Sequence, residues 1–170
     1  VLFGSDSPFP STVPSTWFDG VGGFRVRGPF AGSGLGANLK NVGDISGDNV
    51  HDLMISARGL TFPALREEVY VVFGRNGTSF NADIDLADPF SGFHFTGTAT
   101  RFGSTFTGIG DVNHDGIDDF AVGSVLQISE QHHRARVWGV YGRPDWTAYF
   151  TLDLSTLNES QGWALDWDFR

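Results

Sequence analysis

Short runs of hydrophobic residues, separated by polar and glycine-rich turns, cover most of the chain. Typical runs lie at residues 53–55, 69–73, 120–122 and 137–141. No window of eleven residues shows the 3.6-residue periodicity of an amphipathic helix, and β-branched and aromatic residues dominate the apolar positions. The pattern therefore predicts an all-β fold of many short strands joined by tight turns.

The hydrophobic pattern repeats about every 70 residues along the chain. An aromatic residue followed by glycine ends three of the runs. The glycines of these aromatic-Gly pairs are Gly4, Gly74 and Gly142, which lie 70 and 68 residues apart. A glycine followed by an aromatic residue opens three further runs. The glycines of these Gly-aromatic pairs are Gly23, Gly92 and Gly162, at spacings of 69 and 70. Two independent landmarks thus indicate one internal repeat.

Each period predicts four short strands. They are the Gly-aromatic strand, a strand leading into an acidic loop, an apolar strand leaving it, and the strand that ends in the aromatic-Gly pair. Four strands that recur as a unit favour a β-propeller blade, a four-stranded antiparallel sheet, over a sandwich. Residues 81–86 and 151–154 are predicted as connectors to the next blade, and residues 61–68 and 127–136 as inserted loops.

The repeats divide the chain into five segments. Residues 1–22 are expected to hold the last strand of a preceding blade and a connector, 23–74 the first complete blade, 75–91 a connector, 92–142 the second complete blade, and 143–170 a connector and the first strand of a following blade. A propeller needs roughly four to eight blades to close, and two alone would expose strand edges. We therefore expect a piece of a longer repeat protein.

The sharpest motif is the nine-residue acidic loop 111–119. Oxygen-bearing side chains stand at its positions 1, 3, 5 and 9, and a glycine at position 6 lets the chain curl around an ion such as calcium. The expected calcium ligands are Asp111, Asn113, Asp115, the carbonyl of Ile117, and Asp119. Asp118 is expected to face water. Position 12 is Val122 rather than the glutamate of an EF-hand. The alternative is an Asp/Asn/Gly hairpin turn stabilised by side-chain-to-backbone hydrogen bonds.

A second acidic loop, 44–52, repeats this pattern. Its expected calcium ligands are Asp44, Ser46, Asp48, the carbonyl of Val50, and Asp52. Asn49 replaces the glycine at position 6, and asparagine tolerates a left-handed backbone better than other non-glycine residues. Because Ser46 offers only a neutral oxygen, we expect this loop to bind calcium more weakly than loop 111–119, or to be a plain turn.

Composition narrows the classes of partner. The 170 residues carry 11 Lys and Arg against 20 Asp and Glu, a formal net charge of −9, which argues against nucleic-acid and anionic-membrane surfaces. The absence of cysteine excludes disulfides, thiolate nucleophiles and cysteine-ligated metal sites. The sequence contains no run of 18 apolar residues, so no membrane span is predicted in this segment.

No motif typical of an enzyme is present, so we predict that the chain has no catalytic activity. There is no Gly-x-Ser-x-Gly sequence and no phosphate-binding glycine loop. The clustered acids lie in the two loops, where a bound cation would keep them ionised. His132 and His133 are expected in an exposed polar loop rather than in a transition-metal site. Trp17 and Trp146 are candidates for a sugar or protein contact, with core packing as the alternative.

The order of motifs in the second repeat resembles the FG-GAP repeat of integrin alpha-chain β-propellers and their bacterial relatives. The matching segments are 102–104, 110–124 and 137–142. The first repeat departs from this pattern, with Leu35 where the family has phenylalanine. The resemblance implies a seven-bladed propeller, structural calcium in the nine-residue loops, and a role in adhesion, matrix assembly or ligand display.

We therefore expect a calcium-binding structural or adhesive module of a secreted or cell-surface protein. Its expected partners are a protein, an extracellular-matrix or carbohydrate ligand, or other blades or subunits of an assembly. Asn76 and Asn158 each begin an Asn-x-Ser/Thr glycosylation triplet, which favours an extracellular location. Two alternatives stay open: the non-catalytic repeat portion of a secreted carbohydrate-active enzyme, and a subunit of a filament or sheath of stacked blades.

Overall fold

The computed structural model describes residues 1–59, 67–77, 80–88, 92–96, 102–129, 132–146 and 151–169. Within these residues the regular structure is eleven strands and two three-residue 3₁₀ turns, Ser15–Trp17 and Leu154–Thr156. The strands are β1 (Arg25–Arg27), β2 (Leu35–Gly43), β3 (Asp52–Arg58), β4 (Glu67–Val72), β5 (Asp83–Asp85), β6 (Gly92–Thr96), β7 (Thr105–Gly110), β8 (Asp119–Ser129), β9 (His132–Val140), β10 (Thr151–Asp153) and β11 (Gly162–Phe169). The all-β prediction is confirmed.

The strands form three separate sheets. The first sheet has the order β10-β6-β4-β3-β2, the second sheet has the order β11-β9-β8-β7, and β1 pairs with β5 alone. Both large sheets contain the same antiparallel meander of four strands, β2-β3-β4-β6 and β7-β8-β9-β11. The described strands close no ring, so the propeller stays a prediction.

The Gly-aromatic strand belongs to a different sheet from the one we expected. Its glycine pairs with the end of the preceding aromatic-Gly strand, Gly92 opposite Val72 and Gly162 opposite Val140. A bridge between Leu2 and Gly23 makes a third pairing of this kind. The expectation that this strand opens the sheet of the residues following it is therefore wrong. The four-strand meanders begin and end at residues 35 and 96 and at residues 105 and 169, and β10 joins the edge of the first sheet. The repeat boundaries 23–74 and 92–142 stay predictions.

Close backbone approach explains this pairing. A Cβ added at Gly162 would lie 2.0 Å from the carbonyl oxygen of Gly139 on β9, so only glycine lets the strand start there. On the neighbouring strand, a Cβ at Gly139 would meet the Trp163 ring at 2.2 Å. The glycines that mark the repeat in the sequence are thus contact points between adjacent strands.

The predicted connectors form short parallel strands at the sheet edges. β5 runs beside β1, and β10 runs beside β6. Arg25 holds Asp83 across the first pair, with nitrogen–oxygen distances of 2.7 and 2.9 Å. Across the second pair, the hydroxyl of Thr151 lies 2.9 Å from Nε2 of His94. Each connector therefore pairs with the Gly-aromatic strand that comes before it in the chain.

Residues 127–136, expected to form a loop, are strand wherever the structure describes them. β8 continues to Ser129 and β9 begins at His132, with Gln127 opposite His133. Continuing the antiparallel ladder satisfies backbone groups that a loop would leave to water. The corresponding insertion of the first repeat, 61–68, lies outside the described residues except where it enters β4.

Two hydrophobic clusters bury both faces of the first sheet. The larger one lies between the two large sheets and consists of Val42, Ile45, Met54, Val69, Val71, Phe93, Phe95, Phe102, Phe106, Phe120, Val122, Trp138, Val140, Leu152 and Leu154. The smaller one packs the other face against the N-terminal segment and consists of Phe24, Ile55, Ala57, Tyr70, Val72, Ile84 and Leu86. The second sheet therefore packs on the first as one element of a stack.

Equivalent positions of the two sheets are buried to different degrees. Phe95 of β6 is fully buried, and its ring lies 5.8 Å from that of Phe120 on the second sheet. The equivalent Leu165 of β11 is 51% exposed. The face of β6 is thus covered by a neighbouring sheet, whereas that of β11 is open within the described residues.

We expect Phe95→Ala to lower the free energy of unfolding by about 3–5 kcal/mol, because it leaves a cavity between the two sheets. Leu165→Ala at the equivalent, exposed position should cost less than about 1 kcal/mol. Urea denaturation of both variants measures the difference. Equal losses would contradict the observed packing of the sheets.

Candidate functional site

The two acidic loops occupy the same place in the two sheets. Loop 44–52 joins β2 to β3, and loop 111–119 joins β7 to β8. Both loops adopt a left-handed backbone at positions 4 and 6. The φ angles are 75° at Gly47 and 64° at Asn49 in the first loop, and 63° at His114 and 91° at Gly116 in the second. The prediction that Asn49 takes the left-handed conformation of the replaced glycine is confirmed.

The position 1 carboxylate of each loop gathers backbone amides. Asp44 accepts three of them. The donors are the N–H groups of Gly47, Asp48 and Asn49, at 2.7, 3.0 and 2.6 Å. Asp111 accepts the N–H groups of Asp115 and Gly116, at 3.0 and 2.9 Å. These bonds curl each loop around the carboxylate of its first residue.

Positions 3 and 5 place further oxygens beside position 1. Oδ1 of Asn113 and Oδ1 of Asp111 both accept the N–H of Asp115, at 3.1 and 3.0 Å. In the first loop, Oγ of Ser46 lies 3.4 Å from Oδ1 of Asp44. The position 5 carboxylates each accept the amide two residues further on. The pairs are Asp48 with Val50 and Asp115 with Ile117, both at 2.9 Å.

The position 9 carboxylates are buried and join the loop to the rest of the sheet. Asp52 is 1% exposed and Asp119 is fully buried. Oδ2 of Asp52 accepts the amides of Ile45 and Ser46, at 3.0 and 3.1 Å, and Oδ1 accepts that of Gly74, at 2.8 Å. Asp119 repeats this arrangement. Its donors are the amides of Val112 and Gly142, both at 2.8 Å.

Burial makes the position 9 acids harder to ionise. It raises the pKa of Asp52 to about 6; the amide of Gly74 opposes the rise, and the carboxylates of Asp48 and Asp44 add to it. Burial also raises the pKa of Asp119. A cation among these carboxylates would favour their charged forms.

The donor set of both loops fits a hard cation. Positions 1, 3 and 5 supply side-chain oxygens and neither nitrogen ligands nor sulfur, which is the chemistry that calcium prefers. In the part of the chain that the structure describes, no three aspartate, glutamate or histidine side chains are already gathered around a metal position. The ligand roles at all five positions of each loop stay predictions.

The two acidic loops contact each other through Asp118. The backbone N–H of Asp118 donates to the carbonyl of Asp44 at 3.0 Å, and the N–H of Asp44 donates to Oδ2 of Asp118 at 3.0 Å. Asp118 is half-buried between the loops, so its side chain faces water only in part, in contrast to the full exposure expected. Sequence reasoning missed this contact because its partner lies 74 residues away.

Trp146 is half-buried and packs against the larger hydrophobic cluster. Its ring stacks on Phe93 with centroids 4.4 Å apart, and the Arg143 guanidinium lies 4.2 Å from its centroid. Its Nε1 donates to the carbonyl of Ile45 at 2.8 Å. Of the two alternatives for Trp146, the structure favours core packing. Trp17 is half-buried, with its ring 6.2 Å from that of Phe9.

The remaining sequence candidates fall partly outside the described residues. The side chains of His132 and His133 lie outside them, as does the Thr78 that completes the first glycosylation triplet. In the second triplet, Oδ1 of Asn158 accepts both the amide and the hydroxyl of Ser160, at 3.0 and 2.7 Å. Glycosylation stays a prediction. The described residues include no helix with the length and hydropathy required to cross a bilayer.

Comparison with known proteins finds a partial similarity. No protein-family model matches the chain. Over 127 residues, 71% of this chain, the sequence is 34% identical to integrin alpha-PS2 of Drosophila melanogaster. The chain spans about 9% of the length of that protein. This partial similarity agrees with the resemblance of the sequence motifs to the FG-GAP repeats of integrin alpha chains.

The three glycines of the aromatic-Gly pairs have different surroundings. A Cβ at Gly74 would lie 2.4 Å from the carbonyl oxygen of His51, and a Cβ at Gly142 would lie 2.1 Å from that of Asp118. Nothing lies within 4 Å of a Cβ at Gly4. Only the two glycines that follow an acidic loop are enclosed by it.

We expect Gly74→Ala and Gly142→Ala each to lower the free energy of unfolding by about 1–3 kcal/mol, because the methyl group displaces loop backbone. Gly4→Ala is the matched control and should leave it unchanged or raise it by about 0.5 kcal/mol. Thermal and urea denaturation measure all three. A loss at Gly4 equal to the other two would refute this account.

Proposed function

We propose that the chain is a calcium-binding structural and adhesive repeat module of a secreted or cell-surface protein. Its two large sheets act as β-propeller blades, and its acidic loops each hold one calcium ion. The proposed ligands are those expected from the sequence at positions 1, 3, 5, 7 and 9 of each loop. The module contacts protein or matrix ligands and carries out no catalytic step.

One observation carries this proposal: two loops 67 residues apart are built the same way. Both curl through left-handed positions 4 and 6, place oxygens at positions 1, 3 and 5, and anchor position 9 to the glycine after the next strand. A turn needed only to connect two strands does not require this oxygen set twice. The partial identity to an integrin alpha chain supports the adhesive part of the proposal.

The chain's own residues prepare the loops for an ion. The anchored Asp52 and Asp119 fix the end of each loop, and the amides around Asp44 and Asp111 fix its beginning. Between these ends, Asp48 and Asp115 stand exposed to solvent and accessible to an ion. A bound calcium ion neutralises the clustered carboxylates and cross-links the loop.

The similarity to an integrin alpha chain and the two proposed calcium loops support a location outside the cell. Calcium sites in extracellular modules have dissociation constants of about 10⁻⁴–10⁻³ M, so weak loops of this kind fill there. The net charge of −9 disfavours phosphate-rich partners and leaves proteins and neutral glycans as ligands.

Calorimetric titration with calcium after chelation tests the proposal. We expect two sites in the full chain, and a greater loss of binding for Asp115→Ala than for Asp48→Ala. The reason is that loop 111–119 has Asn113 at position 3 and glycine at position 6, whereas loop 44–52 has Ser46 and Asn49. Asp6→Ala removes an exposed carboxylate outside both loops and serves as the control.

Calcium should also stabilise the fold. At a calcium concentration 100 times the dissociation constant, each filled site adds about 2.7 kcal/mol to the free energy of unfolding. Thermal denaturation in calcium and in chelator measures this gain. No heat of binding and no shift at millimolar calcium would refute the proposal; equal losses in the two variants would refute only the ranking of the loops.

A further inference from the structure

We propose that Asp118 couples the two acidic loops, so that an ion held in loop 111–119 strengthens ion binding in loop 44–52. The inference rests on the proposed calcium binding and adds to it an interaction between the sites. It makes Asp118 a positioning residue that acts on the neighbouring loop through the backbone of Asp44.

The contact holds the first residue of loop 44–52 on both sides of its backbone. The N–H of Asp118 donates to the carbonyl of Asp44, and Oδ2 of Asp118 accepts the N–H of Asp44, each at 3.0 Å. The Asp44 carboxylate in turn organises its own loop by accepting three amides. A single residue of loop 111–119 therefore fixes the backbone position of the first residue of loop 44–52.

Asp118 cannot move independently of its own loop. It stands between Ile117, whose carbonyl is a proposed ligand, and Asp119, whose carboxylate is anchored to the amides of Val112 and Gly142. An ion that orders loop 111–119 therefore also orders Asp118. Ile117 itself packs against the first loop, since a Cβ at Gly47 would lie 3.1 Å from its Cδ1.

The glycine before loop 44–52 leaves space for the Asp118 carboxylate, whereas the glycine before loop 111–119 has no such neighbour. A Cβ at Gly43, just before Asp44, would lie 2.1 Å from Oδ2 of Asp118, and Gly43 has a left-handed φ of 83°. The equivalent Gly110 also has positive φ, but nothing lies within 4 Å of its Cβ position. Space at Gly43 is thus required by the carboxylate of the neighbouring loop and not by the turn alone.

In the described residues, the equivalent residue of the first loop contacts its own sheet. Position 8 of loop 44–52 is His51, and its Nδ1 lies 3.0 Å from Nδ2 of Asn41 within the same unit. The contact between the two loops is made by the aspartate at position 8 of the second loop. Because coupling free energies are reciprocal, an ion in loop 44–52 strengthens binding in loop 111–119 by the same factor.

Two substitutions separate the hydrogen bond from the charge. Asp118→Ala removes the charge and the side-chain hydrogen bond but keeps the backbone N–H that donates to the Asp44 carbonyl. Asp118→Asn removes the charge and keeps an oxygen that can accept the N–H of Asp44. Both variants lose the same electrostatic attraction for calcium. A difference between them therefore reports the positioning contact.

Calcium titrations of the full chain measure the coupling. We expect the affinity of loop 44–52 to be at least about fivefold higher when loop 111–119 is intact than in Asp115→Ala. Asp118→Ala should reduce this difference, because only the backbone bond between the loops remains, and Asp118→Asn should retain most of it. The affinity of loop 111–119, measured in the Asp48→Ala background, should be equal in the Asp118→Ala and Asp118→Asn variants.

Hydrogen exchange without metal tests the contact itself. The Asp44 amide should be protected in the wild type and in Asp118→Asn, and should exchange faster in Asp118→Ala. If Asp118→Ala does not fold, Asp118→Ser, whose shorter side chain falls short of the Asp44 amide, replaces it. Equal protection in all variants would overturn the role given to Asp118.

The titrations distinguish failure of the coupling from failure of the proposed function. Two calcium sites that fill independently would overturn the coupling and leave calcium binding in place. No calcium binding by the wild type at millimolar concentration would overturn both. Equal loss of coupling in Asp118→Ala and Asp118→Asn would mean that charge, and not the hydrogen bond, links the loops, and would also overturn the inference.

Discussion

A buried aspartate carboxylate at the end of each acidic loop holds the loop and three strands of its sheet together. Asp52 and Asp119 accept amides from the beginning of their own loops and from the glycine after the next strand. Leaving the buried amides of Ile45 and Gly142 unpaired would cost about 1–3 kcal/mol each. The shape of the loops, the aromatic-Gly pairs and the proposed ion sites all depend on this carboxylate.

This constraint gives the acidic residues separate tasks. Position 9 binds backbone and is buried, whereas positions 1, 3 and 5 place their oxygens around the interior of the loop. A loop can therefore be both a hydrogen-bonded turn and an ion site. The backbone hydrogen bonds that Asp44 and Asp111 accept also bring the side-chain oxygens near one another. The loop is preorganised by its own amides, which lowers the entropy lost when a ligand binds.

Contacts between neighbouring units are as specific as those within a sheet. Phe93 and Phe95 of the first sheet pack against Phe120 of the second, and the connectors β5 and β10 add parallel strands to the preceding unit. At the loop end, Asp118 continues this contact with polar groups. Adjacent units are thus joined by an apolar interface in the middle and by hydrogen bonds at its rim, as in other stacked repeats.

Local sequence was sufficient to predict the all-β class, most of the strands, their repeat and the residues that form each acidic loop. Short apolar runs without helical periodicity indicated an all-β chain, and the spacing of the acids indicated which residues share a loop, because both depend on neighbours in sequence. Even the left-handed turn at Asn49 followed from the residue type.

Only the tertiary structure decided which strands share a sheet and which loops touch. The Gly-aromatic strand reads equally well as the first or the last of a unit, and packing of Gly162 against Gly139 selects the last. Asp118 has the same local pattern whether it faces water or a neighbour, and the partner that buries it is Asp44, 74 residues away. Strand pairing and burial depend on contacts between residues that are far apart in the sequence. Neither periodicity nor motif spacing tells which of these residues lie close together in the fold.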